Sequence, residues 1–238
     1  MQLGTLYGIG IGTGDPELIT LKGWRQLQNA PVVAFPSGLN NQPGVAETII
    51  QPWLKPEQIQ LSLTFPYVQD ESLLHQAWTE AAEKVWFYLN QGQDVAFACE
   101  GDISFYSTFN YLAQTLNHNH PQVSIVAIPG IASPMAAAAV LGLPLTVRDQ
   151  RLTILPALYH IDRLEQALNS AEVVVLMKVG SVYGQVWQFL KQRNLLPQAY
   201  IVERATQPNQ KIYSNLEQLP HLSLSYFSVL IIIRNQSY

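Results

Sequence analysis

The chain has 238 residues, 48% hydrophobic and 13% charged, which fits one or two folded domains and excludes a disordered chain. Thirteen Lys and Arg against seventeen Asp and Glu leave a net charge of −4, the wrong sign for a general nucleic-acid coat. The single cysteine, Cys99, excludes an internal disulfide and a multi-thiolate metal cluster, and it points to the reducing cytoplasm.

Short apolar runs alternate with amphipathic stretches, the pattern of an α/β protein. The first half reads as strands at Leu6–Ile11, Val32–Phe35 and Val95–Cys99, with helices at Pro16–Gln28, Val45–Gln51, Glu71–Leu89 and Phe105–Leu116. In the longest helix Leu73, Leu74, Ala77, Ala81, Val85 and Leu89 recur at helical spacing, with Glu80, Glu83 and Lys84 opposite them. The polar run Asn117–Pro121 reads as a boundary, giving domains at 1–121 and 122–238. The second domain then reads as strand Val123–Ile128, helix Pro134–Leu141, strand Leu152–Leu155, helix Ile161–Leu168, strand Val173–Met177 and helix Val182–Arg193. Three short β-like runs close it, Tyr200–Glu203, Gln210–Tyr213 and Phe227–Ile233, so a mixed sheet is expected there.

No membrane or targeting segment is expected. Met1-Gln2-Leu3-Gly4-Thr5 lacks the basic start of a signal peptide, and Pro129, Pro134 and Pro144 interrupt the most apolar window, Val123–Leu145. Asn235-Gln236-Ser237 matches a glycosylation sequon, which reads as chance without secretion.

Three glycine-containing turns follow apolar strands. The first, Gly8-Ile9-Gly10-Ile11-Gly12-Thr13-Gly14-Asp15-Pro16, lets the backbone bend sharply and approach a ligand, with Asp15 as a helix cap and Pro16 as the first helical residue. It is not a dinucleotide fingerprint: counted from Gly8 the sixth position is Thr13, and counted from Gly10 it is Asp15. It is not a phosphate loop either, because Gly23 follows Lys22 where Ser or Thr is required. The second turn, Glu100-Gly101-Asp102-Ile103-Ser104, places two carboxylates at a strand's carboxyl end, where open α/β sheets bind ligands; Asp102 or Ser104 can equally cap the next helix. Cys99 just before it reads as packed rather than reactive. The third, Pro129-Gly130-Ile131-Ala132-Ser133-Pro134, starts a helix with Ser133 as cap. His75, His118, His120, His160 and His221 lie in helix or loop contexts without metal-ligand spacing and read as solvated or structural.

In this order and spacing the turns resemble the tetrapyrrole methylases, a family of S-adenosylmethionine-dependent enzymes, along essentially the whole chain. Within it, Cys99-Glu100-Gly101-Asp102 with Phe105-Tyr106-Ser107, Leu176-Met177-Lys178-Val179-Gly180, and Glu203-Arg204-Ala205-Thr206-Gln207 resemble the branch that methylates carbon 20 of precorrin-2 in cobalamin synthesis. The resemblance implies a two-domain α/β fold: an N-terminal mostly parallel sheet domain, a C-terminal mixed sheet domain, and the cofactor in the cleft between them. It also implies a homodimer, for which the sequence offers no clean surface: the candidate exposed aromatics, Trp53 and Trp78, read equally as core or as interface. Carried over by position, S-adenosylmethionine contacts fall on Thr13, Glu100, Gly101, Asp102, Ser104, Phe105, Ala132, Ser133, Met177 and Ala205. The family usually has proline where this chain has Ile103 and threonine where it has Ala132, so a contact needing that threonine hydroxyl is lost.

The implied substrate is a flat macrocycle with many carboxylates, metal-free or cobalt-loaded. Lys178 and Arg204, with Arg148 or Arg151, are the cations expected to bind them. Methyl transfer from a sulfonium needs no resident metal, and orientation alone can supply up to about 7–11 kcal/mol. Asp102 is the one weak candidate for a catalytic base. Two other readings stay open: a family member acting at another ring carbon, and a non-catalytic module binding a nucleotide-like ligand.

Overall fold

Thr5–Gly10 forms β1, and the rest of the first sheet is built around it. The computed structural model describes residues 2–38, 42–66, 68 and 70–234, and the 235–237 sequon lies outside them. After β1 come α1 (Leu21–Asn29), β2 (Val32–Pro36), α2 (Val45–Ile50), β3 (Ile59–Leu63), α3 (Glu71–Leu89), β4 (Val95–Cys99), α4 (Phe109–Asn119) and β5 (Ser124–Ile128). The five strands pair in the order β3-β2-β4-β1-β5, every pair parallel. β4 is buried at all five residues, which is why it reads as an unbroken apolar run. Alternate residues face opposite layers. Leu6, Val32, Ala34, Val95 and Phe97 pack with Val85 and Leu89 of α3 and Leu112 and Leu116 of α4. Ile9, Val33, Phe35, Ala96 and Ala98 pack with Leu27 of α1 and Ile49 and Ile50 of α2.

The second half continues with α5 (Ser133–Leu141), β6 (Leu152–Leu155), α6 (Ile161–Ser170), β7 (Val173–Met177), α7 (Tyr183–Gln192), β8 (Ala199–Glu203), β9 (Lys211–Tyr213) and β10 (Ser228–Ile233). Its sheet runs β6-β7-β10-β8-β9, with β6 and β7 parallel and the remaining pairs antiparallel. The expected mixed sheet is present. α6 and α7 cover one core built on Val174, Leu176, Ile201, Leu230 and Ile232, while α5 packs against β8 and β10. Among the described residues, no helix is long and apolar enough to cross a membrane.

Four readings change. Contacts divide the chain into Met1–Ala132 and Ser133–Tyr238, after Ala132 rather than after Pro121, because β5 pairs with β1 and completes the first sheet. The polar run taken as a boundary is the end of α4. There His120 stacks on Trp86 with ring centroids 4.0 Å apart and sits 3.1 Å from a Glu83 carboxylate oxygen, so of its two readings, solvated or structural, the structural one applies. α4 also starts at Phe109, not Phe105: Tyr106 is left-handed (φ 51°), and the Ser107 hydroxyl accepts the Phe109 N–H. The helix expected over Pro16–Gln28 is two pieces. A single 3₁₀ turn, Pro16–Leu18, is capped by the Asp15 carboxylate, and α1 is capped afresh by the Thr20 hydroxyl, which accepts the Gly23 N–H at 3.1 Å. β3 was not foreseen; it is a short edge strand with two exposed residues at its start.

Gly8 is required by packing rather than by a ligand: a Cβ there would lie 2.4 Å from Cζ of Phe109. Gly8→Ala is therefore expected to cost about 1–3 kcal/mol in urea unfolding. The cost should be smaller in a Phe109→Leu background, where the shorter side chain leaves room.

Candidate functional site

In the first sheet the chain leaves β1 toward β2 on one side and leaves β4 toward β5 on the other, although β1 and β4 are neighbours. That is a topological switch point, and ligands of open α/β sheets bind outside the carboxyl ends of such strands. The three glycine turns emerge there.

β1 and β4 stay in register through Gly10 and Cys99, and the Ile11 N–H still donates to the Cys99 carbonyl at 3.0 Å. Gly12 and Gly101 then bend into the left-handed region (φ 78° and 70°), open to glycine at no steric cost, and bond reciprocally: Gly12 N–H to Gly101 O at 3.2 Å, Gly101 N–H to Gly12 O at 2.7 Å. The third turn closes on this pair. A Cβ on Gly130 would stand 2.4 Å from Gly101 O and 2.5 Å from Gly10 C, so three backbones meet where only glycine fits. Asp102 ties the junction, one carboxylate oxygen accepting the Gly130 N–H at 2.8 Å and the other the Ser104 N–H at 2.9 Å and hydroxyl at 2.5 Å.

Thr13, Glu100, Gly101, Asp102, Ser104, Phe105 and Ala132 therefore all lie on or directly beside one junction of the first unit. Ser133 begins α5 in the second unit as a helical residue, with Pro134 second, not as a cap before the helix. A Cβ added at Gly101 would meet Ile131 O at 3.8 Å and the Ala132 Cα at 3.9 Å, ordinary contact, so it is the left-handed backbone rather than crowding that asks for glycine there.

The carboxylates differ. Burial pushes the Glu100 carboxyl up to about 7, only partly offset by a hydrogen bond from the Ala46 backbone at the start of α2. Near neutral pH it can donate as well as accept a hydrogen bond. Burial also disfavours ionised Asp102, but the Ser104 hydroxyl and the Gly130 and Ser104 amides outweigh it and hold the group below the ordinary carboxylate range. An ionised carboxylate with both oxygens engaged is a poor proton acceptor, so the geometry makes Asp102 a tie between turns rather than a base. Cys99 is packed as expected; burial pushes its thiol up to about 11, and its sulfur lies 3.0 Å from the Ser107 hydroxyl.

In the second unit, Met177 and Ala205 follow the same logic, Met177 ending β7 and Ala205 standing two residues beyond β8. Lys178 and Arg204 lie beside them at one edge of the sheet. Arg151 does not join them. It precedes β6, which runs parallel to β7, so it stands at the opposite edge, where Glu172 holds its guanidinium at 2.9 Å. Arg148 is exposed in the turn at 147–150 leading into β6. Arg151, held by Glu172, is thus removed from the set of cations expected to act together. Of the two tryptophans, Trp53 meets Trp24 edge-on and donates to the Pro16 carbonyl, while Trp78 stacks on exposed Tyr111 at 4.4 Å.

Residues 5–220 match the family described as tetrapyrrole (corrin/porphyrin) methylases, and the chain belongs to that family. Among its relatives, a cobalamin biosynthesis protein CobIJ of Mycobacterium tuberculosis is 32% identical over 96% of this chain but 46% of its own length. The chain thus spans about half the length of the first curated relatives it matches. A precorrin-2 C(20)-methyltransferase of a Sinorhizobium species is 30% identical over 97% of this chain and 95% of its own. The fold also matches a uroporphyrin-III C-methyl transferase from Thermus thermophilus, crystallised with S-adenosylhomocysteine, at a TM-score of 0.64 and 21% identity over 97% of each chain.

Two measurements check the junction. The folded Glu100 carboxyl binds its proton more tightly than the unfolded one, so stability should fall as pH rises from about 4.5 to about 7 and then level off. Glu100→Gln should flatten that slope in melting temperatures taken across the range. Asp102→Asn removes the charge from three hydrogen bonds and is expected to cost about 1–3 kcal/mol in urea unfolding.

Proposed function

We propose that this chain transfers the methyl group of S-adenosylmethionine to carbon 20 of precorrin-2, or of its cobalt-containing counterpart, in cobalamin biosynthesis. The observation that carries the proposal is the meeting of all three glycine turns at the switch point of the first sheet. The relative matched over nearly its whole length, a precorrin-2 C(20)-methyltransferase, supports the ring position.

The donor, when bound, supplies an electrophilic sulfonium methyl group. The protein's part is then to hold it and to orient the ring carbon. The Gly101 and Asp102 backbone, the Ser104 hydroxyl, the Glu100 carboxyl and the turns at Thr13 and Ala132–Ser133 are assigned to the donor, with Met177 and Ala205 from the second unit. Because Ala132 has no hydroxyl, its contact is through the backbone. Lys178 and Arg204 are assigned to substrate carboxylates. No residue is assigned as base, since Asp102 is committed to Gly130 and Ser104. Catalysis by placement suits such a site, where orientation can lower the barrier by up to about 7–11 kcal/mol. A homodimer is part of the same reading.

Purified protein incubated with S-adenosylmethionine and precorrin-2, metal-free or cobalt-loaded, should add one methyl group at carbon 20, read by mass and carbon-13 labelling. A methyl at another carbon overturns the ring position but keeps the class. Donor binding with no transfer to either substrate favours a binding module. Lys178→Met with Arg204→Met should raise the tetrapyrrole KM about tenfold or more and leave donor affinity unchanged.

A further inference from the structure

Lys178 and Arg204 are held in the same unusual way. Each is the first residue after its strand, and each is left-handed, φ 56° and 52°, which is uncommon for a side chain with a Cβ and gathers at functional sites. β10 lies between β7 and β8 and is antiparallel to both, so its start meets their two ends. The Lys178 N–H donates to Ser228 O at 2.9 Å, and the Arg204 N–H to Phe227 O at 2.7 Å. The side chains then fold over successive aromatic rings. The Lys178 ammonium is 4.9 Å from the Tyr226 ring centroid, and the Arg204 guanidinium carbon is 6.0 Å from that of Phe227. The two rings meet edge to face at 5.3 Å.

The segment carrying the rings is itself anchored. Glu203 is buried, and its carboxylate accepts the Ser225 N–H at 2.7 Å and the Tyr213 hydroxyl at 3.3 Å. The carboxylate next to Arg204 in sequence is thus spent on fixing the strand entry. Among the described residues, neither Lys178 nor Arg204 has a carboxylate within ion-pair distance, whereas Arg151 and Arg193 do. Arg204 instead reaches a neutral side chain, the Gln207 amide oxygen at 3.5 Å. Two cations without anionic partners, each backed by an aromatic ring, present charge and flat apolar surface along one edge. That is the complement of a planar ring system bearing carboxylates.

We propose that Tyr226 and Phe227 are positioning residues for the tetrapyrrole, holding Lys178 and Arg204 at a fixed spacing and offering their rings to the macrocycle's rim. This rests on the reading of the substrate given above. The rings restrict where the cations point, so less side-chain freedom is lost when carboxylates bind.

The test uses the full chain and uroporphyrin III, a stable flat polycarboxylate, with binding followed by its visible absorbance and S-adenosylhomocysteine affinity measured in parallel. Tyr226→Leu and Phe227→Leu are each expected to weaken uroporphyrin III binding about tenfold, with donor-product affinity and melting temperature held. Tyr226→Phe, which restores the ring without its hydroxyl, should recover binding to within about twofold of the parent. Parental affinity in both leucine variants overturns the proposal, as does a Tyr226→Phe variant as weak as Tyr226→Leu. The two readings fail separately. If Lys178→Met and Arg204→Met weaken binding while the leucine variants do not, only the role of the rings falls. If the parent protein binds no tetrapyrrole, the substrate reading falls and takes this proposal with it.

Discussion

The first unit depends on a backbone junction without side chains, at Gly10, Gly12, Gly101 and Gly130. Three turns from separate parts of the chain approach there more closely than any Cβ allows, and reciprocal amide–carbonyl bonds with one carboxylate lock them together. The cost of such crowding is offset because strand pairing places β1, β4 and β5 side by side before the turns begin. Each turn is short, so its geometry is inherited from the strand that delivers it. What results is a rigid lip of peptide groups above a parallel sheet, with a near-neutral carboxyl and an ionised one a residue apart.

Those two carboxylates show how burial and hydrogen bonding separate like groups. Glu100 is desolvated and receives little in return; Asp102 is partly desolvated but receives three hydrogen bonds. The first is left adaptable toward a ligand, the second is fixed as structure. In the second unit the same separation applies to cations. Arg151 is neutralised by Glu172, while Lys178 and Arg204 rest on rings.

Much of this was legible in the sequence. Continuous apolar runs marked the buried strands β1, β2, β4 and β7, and the 3.6-residue period marked α3 end to end. The resemblance pointed to residues that the structure gathers at one junction in the first unit and at one sheet edge in the second. What was not legible depended on partners distant in the chain. β3, Ile59-Gln60-Leu61-Ser62-Leu63, is a short edge strand with little burial, and its pairing with β2 is what defines it. The place of β5 in the first sheet follows from its register with β1, which no local pattern announces. Asp102 looked like a free acid or a helix cap until Gly130 appeared beside it. Tyr226 and Phe227 carried no motif at all; the one available signal was an aromatic pair directly before the most apolar strand of the second half.

The arrangement of β1 also bears on how the protein is made. Leu6 pairs with Val95 on one side and with Ile125 on the other, so β1 must wait for both of its neighbours until β2 and β3 have been made. Until translation has passed Cys99 β1 has neither neighbour, and until it has passed Ile128 the edge that takes β5 stays open. Such long-range closure slows folding and leaves a nascent chain prone to association. A ribosome pause after β5 has cleared the exit tunnel, or a chaperone covering β1 before then, would favour a correctly completed sheet.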